Sequence, residues 1–303
     1  MSATRRVFAA PSTKVAAFVL FVVLILTITG GLLAPHDPLA QDVPNQFKGP
    51  TSGHLLGTDY LGRDTLSRLI AGTRVTILGS FATVALGFLL GVLPGIISAF
   101  LGRTSEFFVM RSVDALLTLP IIVLAVAATG LFSNGTGAVV IAVGVLLAPR
   151  FFRIARAETL GFASEQYVEA AQLFGASRFW VIRRHIWTKV LPTLAVTSAT
   201  SLGYAVLALS SLDFLGIGVK APAPSWGGML ATDVQYLYQD WSAAIWPGLA
   251  IAITVWACNA VADGLRDGLG AQAGSHGVEG EAVPAHDLDS LLGSELIGTG
   301  PNA

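Results

Sequence analysis

Six long runs without a charged residue divide this chain and limit how it can fold. They cover residues 15–33, 75–101, 115–132, 133–148, 190–212 and 241–262. A helix needs about 20 apolar residues to cross the hydrocarbon core of a bilayer, so we expect the shorter third and fourth runs to extend into polar flanks at 110–114 and 150–153. Since 53% of the residues are hydrophobic and only 12% are charged, the runs predict an all-α integral membrane protein with six transmembrane helices.

The basic residues predict which ends of these helices face the cytosol. With the N-terminus inside, thirteen of the 18 lysines and arginines are cytosolic. Those outside are Lys48, Arg63, Arg68, Arg74 and Lys220. This distribution follows the positive-inside rule, so we expect a multi-pass protein of the cytoplasmic membrane with both termini in the cytosol.

The N-terminal residues also resemble an export signal, because Arg5, Arg6 and Lys14 precede the first apolar run. That run has 19 residues, which is long for the apolar part of a cleaved signal peptide, and further spans follow it. An uncleaved membrane anchor is therefore favoured.

The longest charged stretch between two apolar runs covers residues 165–192 and is predicted to form two short helices around a glycine. Ser164 can cap the first helix, and Gly175 stands where a left-handed residue commonly ends one. The second helix has one apolar face. That face carries Phe179, Ile182, Ile186 and Val190.

Within this stretch, Glu169, Ala170 and Ala171 combine one acid with two minimal side chains. Another surface can therefore approach the backbone closely, which predicts a docking element for a cytosolic partner. A helix-turn-helix also suits DNA binding. A DNA reader is not normally placed between membrane spans, however, so we expect no nucleic-acid partner.

The order Glu169-Ala170-Ala171, Gly175 and a hydrophobic, basic helix with Ile186 resembles the EAA loop of importer-type ABC transporter permeases. In that family the loop forms coupling helices that sit in a cleft of a cytosolic ATPase subunit. The resemblance therefore implies that these five residues couple the chain to an ATPase.

A second motif, from Gly57 to Arg74, precedes the second apolar run. By chemistry alone it predicts a capped amphipathic helix at the membrane interface, held by surface Asp–Arg pairs that are worth up to about 1 kcal/mol each. Its pattern GTDxxGRDxxSRxxxGxR is very similar to the region before the second span in C-type permeases of the peptide/nickel ABC importers. We predict that it forms an extracytoplasmic gate or lid, with the residues Asp59, Arg63, Asp64 and Arg68.

Three further motifs extend this resemblance over about residues 15–268. They lie at 111–120, 213–230 and 259–267, and are similar to that subfamily's third span, the exit of its fifth span and its C-terminal signature. The resemblance implies a type I ABC importer transmembrane domain for dipeptides, oligopeptides or related cargo such as haem or nickel chelates. It also implies a homologous second (B-type) permease, one or two ATPase subunits and an extracytoplasmic substrate-binding protein.

These features divide the chain into five parts. They are a cytosolic N-terminal tail (1–14), a first transmembrane helix (15–33), an extracytoplasmic segment with an amphipathic helix (34–74), a permease core of five transmembrane helices with the coupling loop at 161–190 (75–262), and a cytosolic tail (263–303). From residue 270 the tail has no lysine or arginine, five acids and many glycines, so we expect it to be mostly disordered.

Several chemical motifs are missing from the sequence. None of its four lysines follows a glycine, so it has no phosphate-binding loop, and no Ser-His-Asp or Cys-His arrangement is evident. We expect no catalytic residue and no cofactor in this chain, with ATP and Mg bound by the partner ATPase. Cys258 is alone, and the five histidines (36, 54, 185, 276 and 286) form no pair at metal-ligand spacing within a helix, so we expect no metal site.

A non-ABC secondary carrier or a membrane-embedded enzyme is the alternative. Either would need an intramembrane charge or buried acid-base residues. No Asp, Glu, Lys or Arg lies near the centre of a predicted span. The sequence therefore favours a permease whose energy comes from a partner.

Overall fold

The computed structural model of the chain describes residues 10–100, 110–111, 113–115, 118, 120–131, 135–163 and 165–277. The α-helices are α1 (Pro11–Leu33), α2 (Thr65–Ser98), α3 (Ile121–Leu131), α4 (Gly135–Ala163), α5 (Gln166–Leu173), α6 (Arg178–Val181), α7 (Trp187–Phe214), α8 (Trp226–Asp233) and α9 (Ile245–Gly277). A π-helical turn, Ile182–Ile186, joins α6 to α7, and 3-10 turns occur at Val43–Asn45 and Val234–Tyr236. Within the described residues the only strand-like pairing is an isolated bridge between Thr58 and Asp64. The predicted all-α fold is confirmed.

Five helices among the described residues are long and apolar enough to cross a membrane. They are α1, α2, α4, α7 with the turn before it (Ile182–Phe214), and the first part of α9 (Ile245–Gly268). The third predicted span, 115–132, is represented by α3, whose 11 residues are fewer than the roughly 20 that cross a bilayer. Residues on both sides of α3 lie outside the described ranges.

The second span begins earlier than its apolar run. Helix α2 is continuous over 34 residues from Thr65, whereas the prediction placed an interfacial helix before residue 75 and a span after it. Arg68 and Arg74 end the apolar run without ending the helix, because the backbone hydrogen bonds of a helix continue past a charged side chain. Asp64 caps α2 by accepting a hydrogen bond from the amide of Ser67, so the motif before residue 75 is joined directly to the second span.

Helices α2 and α4 pack closely along a stripe of glycines. Gly87, Gly91 and Gly95 recur every four residues and face α4. A Cβ at Gly87 would lie 2.8 Å from the Cβ of Leu147, and one at Gly95 would lie 2.7 Å from the carbonyl oxygen of Phe152. The glycines therefore permit close packing in this span, because small residues let two helix backbones approach each other.

One hydrophobic core joins α2 and α4 to the 165–192 segment. Its buried side chains come from α2 and from every element from α4 to α7, and they include Val92, Phe151, Val168, Val181, Ile186 and Val190. Helix α4 reaches this core because it continues to Ala163, well past the apolar run that ends at residue 148. The 165–192 segment is thus packed against the helix bundle.

Candidate functional site

Helix α5 carries the first half of the predicted docking element. The residues Glu169, Ala170 and Ala171 all lie on it. Ala171 is half-buried, whereas the side chains of Glu169 and Ala170 lie outside the described part of the structure, as does the predicted cap Ser164. Of the EAA residues, only Ala171 therefore has a described side chain.

Gly175 follows α5 in the left-handed conformation that its position predicted, with a φ angle of 88°. The amide of Ala176 donates a 3.0 Å hydrogen bond to the carbonyl of Ala171 across this glycine. This bond, together with a left-handed glycine, forms the Schellman ending of a helix. A Cβ at Gly175 would meet no atom within 4 Å, so the position favours glycine for its backbone conformation and not for lack of room.

The second helix of the element was predicted to be short, but it continues into a membrane span. Helix α6, the π-helical turn and α7 follow one another without a break from residue 178 to residue 214. Ile186 is fully buried, as are Val181 and Val190, whereas Ile182 is half-buried. The π-helical turn adds a residue to the repeat, which explains the five-residue spacing between the buried positions 181 and 186. The basic side chains Arg183, Arg184 and Lys189 are exposed.

Two large apolar side chains form the tip of the element, and the sequence analysis did not single them out. Leu173 is 83% exposed and Phe174 is 92% exposed. Two apolar residues directly before a helix-ending glycine were the pattern that could have indicated them. Below the tip, the ring of His185 lies 5.6 Å from that of Tyr167 and 5.1 Å from that of Trp180. An exposed apolar tip on a packed support is typical of a protein interaction site.

Three of the four residues predicted to form a gate meet in one charge cluster, which consists of Asp59, Arg63 and Arg68. Nε of Arg63 donates to Oδ2 of Asp59 at 2.7 Å, and Nε of Arg68 lies 3.4 Å from the same oxygen. The amides of Leu61 and Arg63 donate to the other oxygen of Asp59 at 2.9 and 3.0 Å. All three charged side chains are buried, so the prediction of surface ion pairs was wrong.

The residues that cover the charge cluster come from a distant part of the chain. Asp233 and Met229 of α8 line the same cavity as the cluster, and its volume is about 10 Å³. A cavity of that size holds about one water molecule and no cargo. Burial raises the pKa of Asp233 to about 7; the negative charge of Asp59 adds to this effect, and the positive charge of Arg68 opposes it.

Asp64, the fourth predicted gate residue, lies apart from the charge cluster and beside two histidines. Its Oδ2 accepts hydrogen bonds from the hydroxyl and the amide of Ser67 at 2.6 and 2.8 Å. Its Oδ1 lies 2.9 Å from Nδ1 of His54, and its Oδ2 lies 3.7 Å from Nδ1 of His36. Burial raises the pKa of Asp64, but the hydrogen bonds with Ser67 and His54 outweigh this effect and bring that pKa below its ordinary value.

The sequence places this chain among known transport proteins. Residues 84–272, more than half of the chain, match the family described as binding-protein-dependent transport system inner membrane component. The chain belongs to this family. The permease is 34% identical over 264 residues to the probable D,D-dipeptide transport system permease protein of Escherichia coli (strain K12), covering 87% of this chain and 89% of that protein.

Two further relatives have similar coverage. The permease is 33% identical to the nickel transport system permease protein of the same strain, over 85% of this chain and 93% of that protein. It is 35% identical to the di/tripeptide transport system permease protein of Pseudomonas aeruginosa (strain UCBPP-PA14), over 82% of this chain and 85% of that protein.

A solved structure has the same fold. It is an inward-facing conformation of the MetNI methionine ABC transporter, with a TM-score of 0.56 and 19% identity, covering 65% of this chain and 93% of that one. At this identity the likeness shows the fold alone, which is the type I transmembrane domain of an ABC importer. The permease is therefore a multi-pass inner-membrane subunit of a transport system. The predicted family is confirmed, and the alternative of a non-ABC carrier or a membrane-embedded enzyme is not supported.

Proposed function

We propose that the permease is one of two membrane-spanning subunits of an ATP-driven importer. Its cargo is a peptide of the dipeptide or oligopeptide class, or related cargo such as haem or a nickel chelate. The names of its relatives support the peptide and nickel parts of this range, since they refer to D,D-dipeptide, di/tripeptide and nickel transport. A separate ATPase binds ATP and Mg, and the permease itself catalyses no reaction.

The observation that carries this proposal is the exposed tip formed by Leu173 and Phe174. A protein surface rarely leaves two adjacent large apolar side chains this exposed unless a partner covers them. The tip directly precedes the Schellman ending at Gly175, and the exposed Arg183 and Arg184 lie on the helix that follows. A cleft in a cytosolic ATPase subunit, apolar inside and acidic at its rim, is the partner of matching chemistry.

The packing beneath the tip gives a route for motion from the ATPase to the spans. Val168 of α5 and Ile186 are fully buried in the same core as Val92 of α2 and Phe151 of α4. Because close-packed cores transmit displacement instead of absorbing it, a shift of the tip moves the ends of α2, α4 and α7 together. Docking of the ATPase is thereby coupled to gating through this packed core.

The remaining partners follow from this arrangement. The docking element faces the cytosol together with both termini, and the charge cluster and Asp64 face the other side, where a substrate-binding protein delivers cargo. The cargo route lies between this chain and a homologous second permease, and the binding protein selects the cargo. On this side Asp59, Arg63, Asp64 and Arg68 stabilise an outer gate or lid and do not contact cargo.

The docking element can be tested by truncating the tip in the assembled transporter. We expect Leu173→Ala combined with Phe174→Ala to reduce co-purification of the ATPase at least tenfold and to abolish uptake, while the permease still inserts into the membrane. The matched control is Phe18→Ala with Leu32→Ala, which removes an apolar pair of similar exposure from α1. Unchanged co-purification in the tip variant, or an equal loss in the control, would rule out this docking site.

A further inference from the structure

Three side chains with metal-binding chemistry meet at the N-terminus of α2. The ligand atoms of His36, His54 and Asp64 all lie within 4.8 Å of one another. The two imidazole rings are also close, with centroids 4.9 Å apart and planes tilted by 35°. The three residues come from different segments, one after α1, one in the turn before α2 and one at the cap of α2. The expectation of no metal site rested on spacing within a single helix, which cannot detect such a cluster.

We propose that His36, His54 and Asp64 bind one divalent transition-metal ion of the Zn²⁺ type. Two imidazole nitrogens with one carboxylate oxygen suit Zn²⁺ and its neighbours in the first transition row, whereas Ca²⁺ and Mg²⁺ prefer ligand sets made of oxygen alone. Three protein ligands leave a fourth, tetrahedral position for water. This assignment does not depend on the proposed transport function.

The distances between the ligand atoms are close to those that a metal ion requires. Ligands about 2.0–2.2 Å from a tetrahedral Zn²⁺ lie about 3.4 Å from one another. Nδ1 of His36 is 3.7 Å from Oδ2 of Asp64, and Nδ1 of His54 is 2.9 Å from Oδ1. The two nitrogens approach different oxygens of the same carboxylate, and all the ligand atoms lie within 4.8 Å of one another. Shifts of up to about an ångström would therefore gather them around one ion.

Neighbouring groups already orient the carboxylate. Ser67 donates its hydroxyl and its amide to Oδ2 of Asp64, at 2.6 and 2.8 Å. The same hydroxyl accepts a 2.9 Å hydrogen bond from the backbone amide of His36. Groups that hydrogen-bond a ligand in this way fix its orientation and raise the affinity of metal sites. Ser67 thus positions one ligand and the backbone of a second.

The charge balance of the cluster also favours a cation. The Asp64 side chain is only 2% exposed, and its ion-pair partners among the described residues are His36 and His54, which are charged only when protonated. Arg63 and Arg68 bond instead to Asp59. Among the described residues this buried negative charge has hydrogen-bond donors but no permanent cation as an ion-pair partner, and a divalent ion would supply one. The His36 side chain is 45% exposed and leaves the ion a path from solvent.

Metal binding would link the segment after α1 to the N-terminal cap of α2. His36 lies just beyond the end of α1, and Asp64 directly precedes α2. A shared ion would therefore limit how far these two helices separate at this end. The site would stabilise the chain and hold this end of the bundle in one arrangement.

The test uses the full-length chain, purified in detergent with a histidine-free affinity tag and treated with a chelator. Zn²⁺ is titrated in competition with a chromophoric chelator, and Co²⁺ is used as a spectroscopic probe. We expect one ion per chain and a Co²⁺ spectrum typical of tetrahedral coordination. Affinity for Zn²⁺ should fall roughly tenfold or more in His54→Gln and in Asp64→Asn. Asn keeps the helix cap that Asp64 provides, so the second variant removes the ligand charge without removing the cap.

Two comparisons separate this site from other metal binding. The control His286→Gln removes a histidine outside the described residues and should leave Zn²⁺ affinity unchanged. Added Zn²⁺ should raise the unfolding temperature of the wild type but not of His54→Gln. If a variant at position 54 fails to fold, His36→Gln replaces it, because that side chain is half-exposed and outside any helix. Absence of stoichiometric binding in the wild type, or binding that persists in His54→Gln with Asp64→Asn, would overturn the proposal.

Discussion

Arg63 donates through Nε to Oδ2 of Asp59 at 2.7 Å, and both side chains are more than nine-tenths buried. Removing one partner of a buried pair leaves the other as an uncompensated charge, which costs about 3–5 kcal/mol. We expect Arg63→Ala to destabilise the permease toward the lower end of that range, because Arg68 still lies 3.4 Å from Asp59. Thermal unfolding of the purified chain measures the loss.

A surface pair in the same chain provides the control. Arg153 and Asp114 form an ion pair with both side chains about half exposed, so Arg153→Ala should cost less than about 1 kcal/mol. Equal effects of the two substitutions would show that the charge cluster behaves like a surface pair after all.

The second prediction concerns the pH dependence of stability. Burial raises the pKa of Asp233 to about 7, whereas an aspartate in the unfolded chain titrates near pH 3.9. Between these values the folded chain binds the extra proton, so stability falls as the pH rises, by up to about 1.4 kcal/mol per pH unit. Asp233→Asn should flatten this slope between pH 4 and 7 and should stabilise the permease at pH 8.

Unfolding temperatures measured across that pH range test the second prediction. Asp263→Asn, which changes a mostly exposed carboxylate, serves as the control and should leave the slope as in the wild type. If stability depends on pH with the same slope in Asp233→Asn, other groups cause the pH dependence.

The third prediction concerns the helix ending at Gly175. Its φ of 88° is unfavourable for an L-residue by roughly 1–2 kcal/mol, whereas Asn tolerates it better. We expect Gly175→Val to reduce ATPase co-purification and uptake strongly, and Gly175→Asn to reduce them much less. Gly161→Ala is the control, because that glycine lies within helix α4. If Gly175→Val assembles and transports like the wild type, the docking assignment is wrong.

The fourth prediction concerns the glycine stripe between α2 and α4. A Cβ at Gly91 would meet the carbonyl of Ala148 and lie 2.6 Å from the Cβ of Phe151. Since a backbone atom cannot move aside as a flexible side chain can, Gly91→Ala should cost about 1–3 kcal/mol, as overpacking usually does. Gly31→Ala should be neutral or slightly stabilising, because a Cβ there meets nothing within 4 Å and alanine favours a helix. Thermal unfolding of both variants measures these two changes in stability.

Local patterns in the sequence predicted the features that depend on neighbouring residues. The position of Gly175 after an amphipathic stretch predicted its left-handed conformation. The motif around Asp64 predicted that the helix after it would be capped. The start of α2 could not be read in this way, because Arg68 and Arg74 interrupt the apolar run without interrupting the backbone hydrogen bonds of the helix.

Features that depend on distant residues were missed for a different physical reason. Residues of α8 line the cavity beside Asp59, and the approach of His36 to Asp64 depends on how the segment after α1 returns to α2. No periodicity within one segment contains that information. The exposed tip at Phe174 was missed because its exposure depends on how α5 packs through Val168.

The last prediction concerns gating between the two permeases. In the proposed function, motion delivered by the ATPase reaches α7 through Ile186, so the far end of α7 should change its position relative to the second permease when nucleotide binds. Leu215 directly follows α7 and is 54% exposed, and the one native cysteine, Cys258, is buried. Leu215→Cys in a Cys258→Ala background can therefore be cross-linked selectively to the corresponding position of the second permease.

ATP binding can drive transport only if it favours one arrangement of the permeases over the other. We expect the yield of the Leu215→Cys cross-link to change severalfold when a non-hydrolysable nucleotide is added to the whole complex. Phe18→Cys on α1, also exposed, is the control and should show no such change, because α1 contributes no residue to the core beneath the docking tip. Identical cross-linking with and without nucleotide, in a complex that still transports, would rule out gating through α7.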